Sequence, residues 1–192
     1  WTLHDIKAGS DRYVLEDLYA FLNGYELPQA PGAEFRYSNV GMAVLGIAIE
    51  RRTGLDYETL VKQRICQPLG MNDTSIHLTN EGKRRLARGH LPDGAASEHF
   101  QLKAMASAGA LLSTANDMLK FVAANLGLTP SDLTPAMRRM QVIQHTGAPV
   151  FGRTAMPWVD QGIFQPLGSQ LLGHAGGGYG NVAFIAIDLE KR

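Results

Sequence analysis

The chain has 192 residues, a length that fits one compact unit or a large part of one. Apolar residues make up 45% and charged residues 19%, which excludes a disordered or collagenous chain. The 18 basic and 18 acidic side chains cancel, so no overall field draws the protein to nucleic acid or to anionic lipid.

A single cysteine, Cys66, excludes an intrachain disulfide and sits in a helical pattern as a small buried side chain. The longest apolar stretch, residues 40–49, is broken by glycines and is about half of what a bilayer span needs. No membrane segment is expected. Residues 1–7 lack the basic-then-apolar order of a secretion signal, so the sequence is expected to start downstream of any such signal.

In chain order, residues 13–24 place Val14, Leu18, Phe21 and Leu22 on one helical face, with Gly24 as the stop. Pro28, Pro31 and Gly32 force a loop, and residues 34–37 lead from it as a brief extended stretch. A second helix is predicted over 40–53, buried on most sides, with Gly54 as a left-handed C-cap. A third is predicted over 56–66, capped by Asp56, with Leu60, Val61 and Ile65 inward and residues 67–71 breaking it. Residues 77–103 lack a clear period and read as a long surface excursion holding a strand or short helix. Ser113 or Thr114 caps a further helix running to about Leu126, and a short one follows near 131–140.

After Gly147 the texture becomes sheet-like. Strand candidates are Phe151-Gly152, residues 156–159, 162–164 and 170–174. Residues 182–187 are nearly all apolar and read as a strand covered on both faces. The predicted fold class is α+β: a mostly helical region over 1–146 and an antiparallel sheet portion over 147–192, together one incomplete domain. No repeat or low-complexity tract interrupts it.

Two constellations can carry chemistry. Tyr37-Ser38-Asn39 presents a phenol, a hydroxyl and an amide on a loop before a helix, a trio suited to proton transfer and carbonyl binding in acyl transfer. The same residues also read as a packed tyrosine followed by a helix cap. His174-Ala175-Gly176-Gly177 lies between strand candidates; its glycines let backbone run close to a ligand, with the histidine beside it. A glycine-rich hairpin with an incidental histidine is the other reading.

The remaining candidates fall away. His77, His90 and His99 lack ligand spacing, so no metal is proposed and no cofactor is expected. Residues 176–180 imitate a dinucleotide loop, but no helix can open in the few residues that follow. Residues 105–109 miss the nucleophile elbow because Met105 replaces its first glycine. Lys83-Arg84-Arg85 reads as a solvated patch.

Taken jointly, the stretch from Pro31 through Tyr37-Ser38-Asn39 to Gly46, with Glu50, Thr53-Gly54, residues 68–74, residues 108–118 and Gly173–Gly177, resembles the class C β-lactamase and penicillin-binding protein family of serine hydrolases. That resemblance implies a cleft where three motifs meet: Ser-x-x-Lys, Tyr-x-Asn, and Lys or His-x-Gly on a strand. It implies Tyr37 as the proton-transfer residue, Asn39 as the anchor for substrate and lysine, and His174 as a polar or cationic wall. Gly176 and Gly177 would bind substrate, Gly177 through a backbone N–H in an oxyanion hole. No serine here has a lysine three residues on, so the nucleophile is expected outside this sequence and truncation at both ends is expected. The resemblance further implies a small ester, amide or peptide substrate and a periplasmic or secreted location; the missing nucleophile segment makes a complementary fragment a possible partner, and strand edges left unpaired by truncation predict a homodimer or edge pairing through 150–192.

Overall fold

The computed structural model describes residues 13–97, 99, 102–148, 152–160, 171–178 and 180–190. They fall into two compact units, one drawn from 1–61, 75–112 and 179–181, the other from 62–74, 113–178 and 182–192.

The first unit opens with α1 (Leu15–Gly24). Val14 donates its free N–H to the Asp17 carboxylate at 2.9 Å, and the acidic first turn suits the positive end of the helix dipole. Leu18 is fully buried against Ala43 and Met105. Val14 and Leu22, expected on the same inward face, are exposed.

Helix α2 (Asn39–Thr53) ends on Gly54 at φ 72°, ψ 11°, the left-handed cap the sequence predicts. It packs on α6 (Ala106–Gly109) because both faces are small. A β-carbon at Gly46 would lie 2.1 Å from Ser107 Oγ, and the Ser107 hydroxyl donates to the Met42 carbonyl at 2.9 Å. The expectation that α2 is buried on most sides is corrected. A single turn of alanine, serine and glycine covers only the strip at Ala43 and Gly46, and Leu45 and Ile49 remain 45% and 42% exposed.

Asp56 caps α3 (Tyr57–Val61) as predicted, accepting from the Thr59 N–H at 2.9 Å. The buried Glu58 carboxylate accepts the N–H groups of Ile76 at 2.9 Å and His77 at 3.2 Å. The 77–103 excursion contains α5 (Asn80–Arg85) and a small antiparallel pair, β1 (Gly89–His90) with β2 (Ala96–Ser97). Asp93 and a left-handed Gly94 turn the chain between the two strands.

The second unit takes over where α3 passes into a π-helical turn, Lys62–Cys66, and a short α4 (Gln67–Leu69). Helical path thus runs beyond the break expected at residue 67. Pro68 is tolerated because its missing N–H falls in a first turn, and Gly70 at φ 67° ends the run. Cys66 is buried.

Thr114 caps α7 (Ala115–Asn125), and α8 (Thr134–Met140) follows. Five strands then form a sheet in chain order: β3 (Ile143–Ala148), β4 (Gly152–Ala155), β5 (Val159–Asp160), β6 (Leu171–Gly178) and β7 (Asn181–Asp188). Arg153 pairs across the β4–β5 ladder with the buried Asp160. A cis Met156–Pro157 bond sits between those strands.

Ala155, Trp158, Leu172 and Ile187 form the core under α7, with Phe121 stacked on Trp158 at 6.4 Å between ring centres. Helices packed on an antiparallel sheet are the predicted α+β class. One expectation fails here: β7 is not covered on both faces. Ile187 lies in the core, while Val182 is 86% and Phe184 53% exposed, since the core residues of α7 reach only the later part of the strand. Phe151 and the strand candidate 162–164 lie outside the described residues.

Candidate functional site

In the first unit, Tyr37-Ser38-Asn39 occupies the junction of the Pro/Gly loop with α2. Ser38 is extended at φ −147°, ψ 112°, and its Oγ accepts the Gly41 N–H at 2.9 Å. This is an N-cap bond, and it satisfies one of the orphan donors of the helix start. The hydroxyl of the trio is therefore committed to local structure. Asn39 is the first helical residue and half-buried. Tyr37 precedes the cap and keeps 45% of its surface exposed. Burial of the remainder pushes its phenol above the ordinary tyrosine value, so it is protonated at neutral pH.

In the second unit, His174, Gly176 and Gly177 lie on β6, which pairs with β5 through Val159 opposite Gly173. The strand changes character along its length: Leu172 and Gly173 are buried, His174 is half-buried, and residues 175–178 are exposed. The two glycines flanking the histidine do different jobs. A β-carbon at Gly173 would meet the Ile185 carbonyl at 3.0 Å and the Phe184 ring at 3.2 Å, whereas one at Gly176 would meet nothing within 4 Å. Gly173 is needed by sheet packing; Gly176 borders open space. Burial pulls the His174 imidazole below the ordinary histidine value, partly offset by a hydrogen bond with the Ala175 backbone. It is therefore neutral at pH 7.

Tyr37 and Asn39 thus share one helix start, and His174, Gly176 and Gly177 share one strand, each group within its own unit.

Sequence reasoning missed two carboxylates that organise the surrounding segments. Asp117, 2% exposed, accepts the Asp73 N–H at 2.8 Å, the Thr74 hydroxyl at 2.9 Å and Lys120 Nζ at 2.9 Å. Thr74 also shares a 2.8 Å hydrogen bond with Ser113 Oγ. Burial alone would raise the Asp117 carboxyl; the hydrogen bonds from Lys120, Thr74 and Asp73, with the Lys120 charge, outweigh it and hold the group below the usual carboxylate range. Glu58 does comparable work in the first unit and also holds the His77 imidazole. Lys120 is three residues from Asp117, but the Asp73 and Thr74 groups that Asp117 holds, like the Ile76 and His77 groups held by Glu58, lie far away in sequence, and no local pattern signals them.

Among the described residues, no group of three or more His, Cys, Asp or Glu side chains is placed to hold a metal ion, and no helix is long and apolar enough to cross a membrane.

A family model described as Beta-lactamase matches residues 1–191. The D-alanyl-D-alanine-carboxypeptidase/endopeptidase AmpH of Escherichia coli (strain K12) is 30% identical over 107 residues, which are 56% of this chain and 27% of that protein. Among solved structures, a β-lactamase/D-alanine carboxypeptidase from Pseudomonas syringae matches with a TM-score of 0.81 at 17% identity, over 93% of this chain and 58% of that one. The D-alanine carboxypeptidase AmpC from Burkholderia cenocepacia matches at 0.80 and 19%, over 99% and 67%. At such identities the structural matches speak for the fold. The matched stretch spans less than a third of the AmpH chain and little more than half of the Pseudomonas one.

Proposed function

Since the chain belongs to the Beta-lactamase family, we propose that it supplies Tyr37, Asn39 and the His174-Gly176-Gly177 strand to a serine hydrolase. The enzyme acts on a small ester, amide or peptide through an acyl-enzyme whose serine lies in a segment outside this sequence. The observation that carries this reading is the division of labour at the start of α2. Ser38 spends its hydroxyl on the Gly41 N–H, which leaves the phenol and amide on either side of it clear of the capping bond.

A serine followed three residues on by lysine attacks the substrate carbonyl and passes its proton to Tyr37. The lysine ammonium lowers the phenol, which burial alone holds high. The Gly177 N–H takes one lone pair of the tetrahedral oxyanion, and Asn39 holds the substrate and the lysine. Tyr37 returns the proton to the leaving alcohol or amine as the acyl-enzyme forms. Water, deprotonated by the same tyrosine, then attacks the acyl carbon; the acyl–serine bond breaks, the tyrosine gives the proton to the serine oxygen, and the acid leaves. His174, neutral, lines the strand side, and open space beside Gly176 admits substrate.

A second reading is a ligand-binding or interaction protein of the same fold, favoured by the absence of any Ser-x-x-Lys in the 192 residues. Adding a separately produced Ser-x-x-Lys segment of a family member to the chain distinguishes the two. Ester or D-alanyl peptide hydrolysis is expected from the mixture alone, and Tyr37→Phe is expected to lower it by roughly 10²- to 10⁴-fold. Binding without turnover supports the second reading, and turnover indifferent to Tyr37→Phe removes the role given to that residue.

A further inference from the structure

Helix α6 meets α2 through a hydroxyl as well as through packing. Met105, just before α6, is buried with Ala43 of α2 and Leu18 of α1, and it seats the segment from which Ser107 projects. Gly46 offers no side chain where Ser107 comes in: a β-carbon there would lie 2.1 Å from Ser107 Oγ and 2.4 Å from Ser107 Cβ. That bare patch admits the Ser107 hydroxyl to the Met42 carbonyl, to which it donates at 2.9 Å.

The acceptor is a carbonyl in the first turn of α2. Such a carbonyl has two lone pairs and the helix ladder uses one, so Ser107 adds a bond to a residue already held by its own helix. Met42 in turn donates its N–H to the Ser38 carbonyl at 3.1 Å, and Ser38 is the cap whose Oγ takes the Gly41 N–H at 2.9 Å. One residue therefore separates Ser107 from the cap, and Tyr37 and Asn39 flank the cap. As a contribution to stability, a hydroxyl bond at a half-buried serine is worth only about fivefold in the folding equilibrium. As a constraint on position it is worth more, since moving a reacting group by about 1 Å costs about a hundredfold in rate.

We infer that Ser107 is a positioning residue: its bond to the Met42 carbonyl fixes the first turn of α2 and, through the cap, the placement of Tyr37 and Asn39. The value of that placement for catalysis rests on the hydrolase reading; the placement itself is measurable without it. The far end of the same helix supplies a control, because the Thr53 hydroxyl donates to the Ile49 carbonyl at 2.8 Å.

The test compares the full chain with Ser107→Ala, which removes the donor and keeps the β-carbon, and with Thr53→Val, which removes a hydroxyl from the other end of α2. Amide hydrogen exchange followed by NMR is expected to quicken about fivefold at Gly41 and Met42 in Ser107→Ala, and the Asn39 side-chain amide signals are expected to shift. The Gly54 amide, bonded to the Glu50 carbonyl, and the circular dichroism are expected to stay as in the native chain. Thr53→Val is expected to leave residues 39–42 unchanged. In a mixture with a Ser-x-x-Lys segment, Ser107→Ala is expected to lower kcat about ten- to a hundredfold with little change in KM. A native mixture without turnover would defeat the hydrolase reading and leave the exchange data to decide the role of Ser107. Native exchange at Gly41 and Met42 in Ser107→Ala overturns the inference. So does equal acceleration there by Thr53→Val, or, in a mixture that turns over, a kcat indifferent to Ser107→Ala.

Discussion

Replacing Asp117 by alanine strips three donors of their acceptor at once. The Asp73 N–H and the Thr74 hydroxyl, at 2.8 and 2.9 Å from the carboxylate, would each be left short of a partner at a cost of roughly 1–3 kcal/mol. Lys120 is half-exposed, and water screens its share to roughly 1 kcal/mol or less. The sum is about 2–7 kcal/mol, which brackets the roughly 3–5 kcal/mol found when one side of a buried charged pair is removed. Against a typical domain stability of roughly 5–15 kcal/mol, that is a large fraction. Urea denaturation followed by circular dichroism should show the midpoint falling with little change in slope. Asp117→Asn should cost less at pH 7, since shape and one acceptor remain. Because the folded carboxyl lies below its unfolded value, the stability it contributes is present above about pH 4 and is lost as pH falls through the folded pKa. The gap between the native chain and Asp117→Asn should therefore narrow toward pH 3. A loss below about 1 kcal/mol for Asp117→Ala, or a gap that does not change with pH, would refute the view of Asp117 as the tie between residues 73–74 and α7.

Two further outcomes follow from local geometry. Gly46→Ala puts a β-carbon 2.1 Å from Ser107 Oγ and 2.4 Å from Ser107 Cβ, so it should destabilise the chain by about 1–3 kcal/mol; Ser107→Gly in the same chain should restore part of that, and simple additivity of the two in thermal melts would argue against direct contact. His174, pulled down by burial, should titrate below 6.5 in an NMR pH series, and its contribution to stability should be present above the unfolded value and lost as pH falls through the folded one.

The parts of the fold that were legible in the sequence are those set by neighbours along the chain. Ser38, Asp56 and Thr114 announce helix starts because a short polar side chain finds an N–H two or three residues on, and Gly54 announces an end because the left-handed cap favours it. Burial was harder to read. Leu45 and Val182 look like core residues by pattern, yet whether they are covered depends on how large a partner element lies on them. The π-helical turn after α3 also carries no sequence signal of its own.

At the candidate site, sequence placed Tyr37 before a helix and His174 on a strand, since turn residues and alternation are local. That Ser38 is the capping member of its trio, and that Gly173 answers a packing need while Gly176 borders open space, became visible only with atoms in place. Asp117 and Glu58 escaped because the backbone groups of Asp73 and His77 that they hold lie 44 and 19 residues away, beyond the reach of any periodicity.

The proposed hydrolase takes its nucleophile from another segment, so the purified 192-residue chain, treated with a labelled penicillin and a fluorophosphonate and weighed intact, should carry no stable adduct. An adduct on Ser38, Ser107, Ser113 or any other serine of this chain would contradict that.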